Sequence, residues 1–474
     1  MIAAWLAGAA WSAPEPSPVE VPAHVVAARS KIDWTIAGDE AVRVLADYLK
    51  VDTSNPPGNE ALGVAYLGGV LDAEGIPWEQ IELAPGRSML VARVQGSGKQ
   101  KPLCLMHHID TATFEADRWP ADTGPLSGAI ADGYLWGRGA LDMKGMGAIE
   151  LMVLAWLNRT QVPLDRDVVL LAVADEEVAN TGAAMLADPA RWASIGCDHL
   201  INEGGLGIRG ALFDGQAIHA ISVAEKGALW VNVVAEGRAG HGSVPRPEEE
   251  APTRLVRAIE AIERYHPVYK VDDSLYTLLA NVGEHHGGFS GFVLKNRFLV
   301  RTLAWGKLRS NPTTNAVLQD TVHLTGMRGA QEPNVIPSRV EAVYDCRLLP
   351  GTTPEIQLER LRKQVQGIDG ITLEVVHAME GNGSPVDDPL FDTIARYAVE
   401  DRPAAVAGPL LSVGFTDSIL LRPLGVAAYG YVPFEVDPEV ADTMHGHGER
   451  VPVDQVGEGL RRLYSMVVDF AGVR

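Results

Sequence analysis

The chain has 474 residues, and its 61 acidic residues outnumber its 40 basic residues to give a formal net charge of −21. This length is too great for one compact core and predicts two domains. The acidic surplus argues against nucleic acid or an anionic membrane as a partner, since both repel a negative protein. No run of about eighteen apolar residues occurs, so we expect no membrane span.

The N-terminus resembles part of a secretory signal. Residues 1–13 are mostly apolar and small, and a proline-rich stretch follows from Pro14 to Pro22. A complete signal peptide also has a positive leading region and a longer apolar stretch, and both are missing. We expect residues 1–30 to be a signal-like segment and linker. Export is the favoured location, and a cytoplasmic protein with a disordered N-terminus is the alternative.

Helical and strand-like patterns alternate through the first half of the chain, which is typical of an α/β sheet. The spacing of apolar residues predicts helices over 41–48 and 145–157, and buried strands over 102–106, 168–174 and 199–201. The three cysteines, Cys104, Cys197 and Cys346, show no CxxC spacing, and we expect three buried thiols.

The pattern changes near residue 223. Half-exposed alternation and new helical spacing predict a strand over 228–235, a helix over 249–265 and strands around 322–324 and 340–348. The α/β pattern returns near residue 384. We therefore predict an α/β domain with a mixed, mostly parallel sheet flanked by helices, and a separate α+β domain inserted into it. The predicted boundaries are 31–222 and 384–474 for the α/β domain and 223–383 for the insertion.

Potential metal ligands follow several strand-like or turn-like segments. These segments are His107-His108-Ile109-Asp110, the turn from Gly137 to Gly145 with Asp142, Asp175-Glu176-Glu177, Asn202-Glu203-Gly204-Gly205, and Met444-His445-Gly446-His447. Ligands bind at the carboxyl ends of strands in an open α/β sheet, so these residues can converge. Zinc takes histidine nitrogen and carboxylate oxygen, and two metals need a bridging carboxylate with about two further ligands each. One ligand from each of these five segments would supply the bridge and four further ligands, so the sequence predicts a dinuclear metal site.

Each motif alone has an ordinary alternative. A His-x-Asp motif is usually a surface or turn feature, and paired acids at a strand end are commonly solvated turn residues. A Gly-rich turn before a helix could equally be a phosphate-binding loop. Residues 205–210 match the dinucleotide fingerprint GxGxxG, but strand-like sequence follows where a helix is required. A non-catalytic binding protein on the same fold is the alternative from another class, and the retention of Glu176 argues against it.

Together and in this order, the motifs resemble those of the M20 family of metallopeptidases, over nearly the whole chain after about residue 35. The motif Asn202-Glu203-Gly204-Gly205 and the long insertion are most similar to the carboxypeptidase S and aminoacylase-like branch. The resemblance implies that the α/β domain is the catalytic domain and that the insertion is a lid or dimerisation domain. It also implies two zinc ions per chain, with cobalt or manganese as alternatives. It assigns one ion to His108, Asp142 and Glu203, and the other to Asp142, Glu177 and His445.

The resemblance also implies roles around the metals. Asp110 would accept the second ring N–H of His108 and fix its tautomer. Glu176, as general base, would take a proton from the attacking water and deliver it to the leaving amine. His447 competes with His445 as a ligand, and His445 is favoured because it matches the family position.

Further matches concern the substrate. His241, in a Gly-His segment, resembles a histidine that reaches the partner subunit's active site and stabilises the oxyanion, which implies a homodimer. Asn334 and Arg347 resemble a site for the substrate carboxylate, with a salt bridge on the sheet face as the alternative for Arg347. Gly414 and Thr416 lie in a loop that usually reads Gly-Gly-Thr-Asp, from which Phe415 departs.

The resemblance implies an enzyme that hydrolyses an amide bond next to a free carboxylate. A carboxypeptidase acting on short peptides is the main expectation, and an N-acyl amino acid amidohydrolase or synthase is the alternative. The motifs do not separate the two, because both reactions need the same metals, base and carboxylate site. We expect specificity to come from Phe415, from residues 429–434 and from residues 284–305.

Overall fold

The structure is a computed structural model that describes residues 20–270, 272–329 and 332–473. Most of the predicted signal-like segment, residues 1–19, lies outside the described residues. The prediction of a linker up to residue 30 is wrong for its last part, because Ala23–Arg29 form a helix, α1. Val25 and Ala28 are buried one turn apart on one face of this helix, which packs against the C-terminal helix Val453–Ala471.

The elements before the chain enters the second domain are α1, α2 Trp34–Leu49, β1 Ser54–Asn55, α3 Glu60–Ala73, β2 Trp78–Ala84, β3 Arg87–Val94, β4 Leu103–His108, β5 Thr111–Ala112, a 3₁₀ helix Ala116–Arg118, β6 Ala129–Ala131, β7 Tyr134–Trp136, α4 Lys144–Thr160, β8 Val168–Val173, α5 Thr181–Leu186, α6 Pro189–Ile195, β9 His199–Asn202, β10 Gly207–Arg209 and β11 Ala217–Glu225. The helices and strands predicted here are present. The GxGxxG segment leads into β10 and β11, so no helix begins there.

The next stretch contains β12 Gly227–Glu236, β13 Gly240–His241, α7 Ala251–Glu263, α8 Asp273–His286, α9 Gly288–Leu294, α10 Arg297–Leu299, a π-helix Val300–Ala304, α11 Trp305–Ser310, α12 Pro312–Val317, β14 Thr321–Arg328, β15 Val335–Ile336, β16 Arg339–Leu348, α13 Pro354–Val365 and β17 Ile371–Met379. The last part contains α14 Pro389–Ala398, β18 Ala405–Ser412, α15 Ser418–Leu421, a 3₁₀ helix Arg422–Leu424, β19 Ala427–Gly430, β20 Glu435–Val436, α16 Pro438–Ala441, β21 Arg450–Pro452 and α17 Val453–Ala471.

A ten-stranded mixed sheet forms the larger domain. Its order is β2-β3-β8-β4-β9-β19-β11-β10-β20, with β18 also paired to β11. The four strands from β8 to β19 run parallel. Every residue of β4 and β8 is buried, as expected for central strands covered on both faces. The predicted α/β class with a mixed sheet flanked by helices is confirmed.

The smaller domain is built on a four-stranded antiparallel sheet in the order β14-β16-β12-β17. Every second residue of β16 is buried, because α7 and α13 cover one face of this sheet. The chain crosses from the large sheet to the small one at Lys226, between β11 and β12. Among the described residues, no helix combines the length and apolar character needed to cross a bilayer.

The helices from α8 to α12, residues 273–317, belong in sequence to the predicted insertion but pack against the larger domain. Helix α8 lies on β18, and Leu278 and Val282 share a buried cluster with Ile218 and Val406 of the large sheet. The Asn281 side chain donates to the Ala407 carbonyl at 3.0 Å. We call residues 273–317 the helical insert.

The cysteine prediction is wrong for two of the three residues. Cys104 and Cys197 form a disulfide with their Cα atoms 5.9 Å apart, although 93 positions separate them in the sequence. Cys104 lies in β4 and Cys197 lies just before β9, and these strands are neighbours in the sheet. Strand order is not visible in the spacing of cysteines. Cys346 is a buried free thiol, and burial raises its pKa to about 12.

Candidate metal centre

Three neighbouring parallel strands deliver the first ligand candidates. Strand β4 ends at His108, β8 is followed by Glu176 and Glu177, and β9 is followed by Glu203. Since β8, β4 and β9 lie side by side and run in the same direction, their carboxyl ends meet at one edge of the sheet. The sheet topology therefore explains why His108 and Glu203, 95 positions apart (203 minus 108), gather in one cleft.

The carboxylate of Asp142 lies between two histidines. Its Oδ1 is 3.0 Å from Nε2 of His108, and its Oδ2 is 2.9 Å from Nε2 of His445. His445 Nε2 is also 3.3 Å from Glu177 Oε2, and His108 Nε2 is 3.9 Å from Glu203 Oε1. We call these five residues the metal cluster. Asp142 has one oxygen directed at each half of the cluster, which is the geometry of a bridging carboxylate.

The close approach of buried charged groups shifts the pKa values of residues in the metal cluster. Burial opposes the charging of His108, but the nearby carboxylates of Asp142 and Glu203 outweigh it and raise its pKa. Asp142 is also buried, yet its hydrogen bonds with both histidines lower its pKa. Glu203 has no such hydrogen bond among the described residues, and burial followed by the charge of Asp142 raises its pKa. Cations placed among these groups would relieve both the repulsion and the burial of charge.

The donor set fits a divalent metal. His108, Asp142 and Glu177 place possible ligand atoms within 4.8 Å of one another, and His108, Glu176 and Glu203 do the same. One imidazole with two carboxylates is a ligand set that zinc accepts. His447, the alternative ligand, is 3.8 Å from Glu115 and has no ion pair with the cluster among the described residues.

Asp110 supports the cluster by two routes. Its main-chain carbonyl, rather than its carboxylate, accepts from Nδ1 of His108 at 2.8 Å, and the nearer carboxylate oxygen is 3.7 Å away. The carboxylate instead accepts from the backbone N–H groups of Glu176 and Glu177, both at 3.2 Å. Asn55, which the sequence analysis missed, donates to the same carboxylate at 2.8 Å. Asp110 thus orients both acids that follow β8.

Glu449 and Arg138 are two further residues that the sequence analysis missed. The buried Glu449 carboxylate pairs with Arg138 at 2.7 Å and accepts from the backbone N–H groups of Leu141 and Asp142. Arg138 in turn donates to the carbonyl of His445. This pair ties the turn that carries Asp142 to the loop that carries His445. Arg138 lies inside the quoted turn from Gly137 to Gly145 and Glu449 lies two positions after His447, but a carboxylate bonded to backbone has no sequence signature.

Arg347 lies where β16 of the small sheet approaches the loop after β18. Its Nε and Nη2 atoms bind Asp345, with the shortest distance at 2.9 Å, which is the salt bridge considered as the alternative. The guanidinium also lies over the ring of Phe415 at 5.0 Å. Within the described residues, Nη1 has no hydrogen bond. Arg347 therefore keeps one edge available to a ligand.

Thr416 is engaged within the protein. Its backbone N–H and its hydroxyl both donate to the Glu225 carboxylate, at 2.8 and 2.9 Å, and Arg422 pairs with the same carboxylate. Gly414 has open space where a Cβ would stand. These contacts hold the loop in place, so Thr416 shapes the site through the backbone rather than by offering its hydroxyl.

His241 and Asn334 lie together, away from the metal cluster. Strands β13 and β15 pair His241 with Val335, and Gly242 donates to the carbonyl of Asn334 at 2.9 Å. Both side chains are exposed, as are all residues from 238 to 249. Within the described ranges, neither side chain has a hydrogen bond or ion pair to the metal cluster. His241 Nδ1 instead lies 2.8 Å from the Ser243 hydroxyl.

Comparisons with known proteins agree with this architecture. The sequence model of peptidase family M20/M25/M40 matches residues 104–469. The human N-fatty-acyl-amino acid synthase/hydrolase PM20D1 is 26% identical over 386 residues, which are 79% of this chain and 75% of that protein. A probable carboxypeptidase S-like 2 from Dictyostelium discoideum is 25% identical over 376 residues, covering 78% of this chain and 70% of that protein.

Among solved structures, the M20 family metallo-carboxypeptidase Sso-CP2 from Sulfolobus solfataricus superposes with a TM-score of 0.69. The sequences are 18% identical, and the match covers 90% of this chain and 98% of that one. At this identity, the likeness concerns the fold.

Replacing Glu449 by Gln should destabilise the protein and weaken metal binding. The change leaves the buried Arg138 without its partner, and breaking a buried ion pair costs about 3–5 kcal/mol of unfolding free energy. It also loosens the backbone that presents Asp142, so zinc affinity should fall about 10–100-fold. Urea unfolding and a zinc competition titration measure the two effects. Glu115→Gln, at an exposed acid outside the cluster, is the control, and unchanged zinc affinity in a folded Glu449→Gln variant would contradict this role.

Proposed function

This chain belongs to peptidase family M20/M25/M40 and is a hydrolase, and we propose that it cuts an amide bond next to a free carboxylate. The observation that carries this proposal is the Asp142 carboxylate held between His108 and His445, with Glu177 and Glu203 beside them. Such a donor set gathers metal ions at one edge of the sheet, where a substrate can reach them from the cleft.

We assign two metal ions to the cluster. His108, Asp142 and Glu203 would hold one, Asp142, Glu177 and His445 would hold the other, and the ligand types favour zinc, with cobalt or manganese as alternatives. When bound, such ions polarise the scissile carbonyl and lower the pKa of the attacking water toward about 7. The separate oxygens of Asp142 support its assignment as the bridge.

Glu176 is the proposed general base. Its backbone N–H is held by Asp110, and its carboxylate lies in the group formed with His108 and Glu203. Burial and then the charge of Glu203 raise its pKa well above the usual value. A carboxyl group with a raised pKa suits a residue that takes a proton from water and later gives it to the leaving amine.

The substrate carboxylate is assigned to Arg347 and Asn334, and the oxyanion of the intermediate to His241 of the partner subunit. The free Nη1 edge of Arg347 supports its part in this assignment. His241 is exposed and has no bond to the metal cluster of its own chain among the described residues, so a homodimer would bring it to the oxyanion of the partner's substrate. Gly414 and Thr416 would form the loop beside this carboxylate, and Phe415 would narrow the space.

An N-acyl amino acid is the favoured substrate class. The human relative is named as an N-fatty-acyl-amino acid synthase/hydrolase, and the motifs around the cluster serve that reaction as well as peptide hydrolysis. A short peptide with a free C-terminal carboxylate is the second candidate, because the Dictyostelium relative is named as a probable carboxypeptidase. The two classes differ only in the group on the carbonyl side of the scissile bond, which is an acyl chain in one class and an aminoacyl residue in the other.

A hydrolysis panel with paired substrates tests the proposal. The zinc-loaded protein should release free amino acids from N-acyl amino acids, and more slowly from dipeptides, and a chelator should abolish both activities. Amide-capped versions of the same substrates, which lack the carboxylate, should be poor substrates. Turnover that persists in chelator, or that ignores the carboxylate, would contradict the proposal.

Glu176→Gln provides the matched variant for this panel. It should bind zinc as the parent protein does while turnover falls by about two to four orders of magnitude, because only proton transfer is lost. Metal analysis and turnover are measured on the same sample, with Glu115→Gln as the control. Near-normal turnover in the Glu176→Gln variant would remove it as the general base.

Mixed dimers test the shared site. His241→Ala and Glu176→Gln should each be nearly inactive alone, since every site then lacks one essential group. After the two are mixed and exchanged, a quarter to a half of the parent activity should return, because one site of each mixed dimer contains both intact residues. If mixing restores nothing although mass spectrometry detects the mixed dimer, His241 does not act across subunits.

A further inference from the structure

Within the part of the chain that the structure describes, the exposed Phe, Tyr and Trp side chains are concentrated in the helical insert. Among the described residues, the exposed aromatic side chains are Phe289, Phe292 and Phe298, which are 60%, 57% and 71% exposed. Leu303 nearby is 49% exposed. Phe289 and Phe292 lie one turn apart on α9, so they point to the same side. Large apolar side chains grouped in this way on a surface mark a contact site.

The helical insert has a hydrophobic core of its own, so its exposed residues do not lie on a poorly packed segment. Val300 and Leu308 are buried with Leu275, Leu279 and Val317. Helix α8 anchors the insert to β18 of the large sheet. The outward position of the phenylalanines therefore belongs to a folded unit.

The charge of the insert opposes that of the chain. The helical insert, residues 273–317, contains five Lys or Arg residues and two acids, Asp273 and Glu284, so its formal charge is +3 (five minus two), although the whole chain carries −21. Lys295 pairs with Glu284, and Arg297 with Asp273, both on α8. Within the described parts of the chain, Arg301, Lys307 and Arg309 have no acidic partner.

We propose that the helical insert is a docking surface for a membrane that carries anionic headgroups. Exposed Phe and Leu side chains among Lys and Arg are the composition of segments that lie in a membrane interface, with the rings in the acyl boundary and the charges at the headgroups. The acidic remainder of the chain does not forbid this contact, because charges more than about 8 Å from the surface are screened at physiological salt.

The helical insert packs on the strand that precedes the proposed substrate loop. Helix α8 packs on β18, and β18 runs into the loop with Gly414, Phe415 and Thr416. The docking proposal itself needs neither the metals nor any substrate.

Vesicle sedimentation tests the proposal with the full-length protein. The protein should sediment with phosphatidylcholine vesicles that contain phosphatidylglycerol, bind weakly to phosphatidylcholine alone, and dissociate as salt is raised. Arg301→Glu with Lys307→Glu should lower the partition coefficient about 25-fold or more, since each basic residue near an anionic surface contributes about fivefold. Phe292→Ser with Phe298→Ser should lower it about tenfold or more, through lost apolar burial.

Two double variants serve as matched controls. Arg264→Glu with Lys363→Glu makes the same change in net charge on the smaller domain, and Ile36→Ser with Leu62→Ser removes two exposed apolar residues from α2 and α3. Both should bind vesicles as the parent does. Absence of binding to the anionic vesicles, or equal losses in variants and controls, would overturn the proposal. So would a change of oligomeric state in the insert variants without vesicle binding, because it would assign the face to a second copy of the chain.

Discussion

The structure depends on one carboxylate. Asp142 lies between His108 and His445 with an oxygen directed at each, and the acids after β8 and β9 gather around this group. Four carboxylates in one largely buried cleft repel one another. This repulsion destabilises the folded state unless cations neutralise the carboxylates or a rigid scaffold holds them in place. The sheet supplies the rigid support through three neighbouring parallel strands whose ends cannot move independently.

The loop ligands need a different kind of support, because Asp142 and His445 do not belong to strands of the large sheet. The buried Glu449–Arg138 pair provides it by bonding to backbone on both sides. On the substrate side, Glu225 plays a similar part for the loop after β18 by holding Thr416. Buried carboxylates that bind backbone N–H groups thus hold the loops on both sides of the cleft in place, which is the arrangement that a preorganised site requires.

The sequence predicted the fold class and the elements around the cluster, because buried strands and amphipathic helices leave periodic patterns. It also predicted candidate ligands that lie together in the structure, since His108, Glu177 and Glu203 follow strands that alternate with helices. The sequence did not predict features that depend on contacts between segments far apart in the chain. The Cys104–Cys197 bridge depends on strand order, the Glu449 contacts depend on backbone groups, and the packing of α8 on β18 contradicts the simple division into a catalytic and an inserted domain. Arg347 illustrates the same limit, because only the structure shows Asp345 occupying one edge of its guanidinium.

Anomalous diffraction at the zinc edge, on crystals grown with zinc, tests the central claim most directly. The account predicts two peaks per chain about 3.5–4 Å apart, with Asp142 between them, His108 and Glu203 on one and Glu177 and His445 on the other. A single peak, or two peaks that do not share Asp142, would contradict the bridging role on which the proposed function rests.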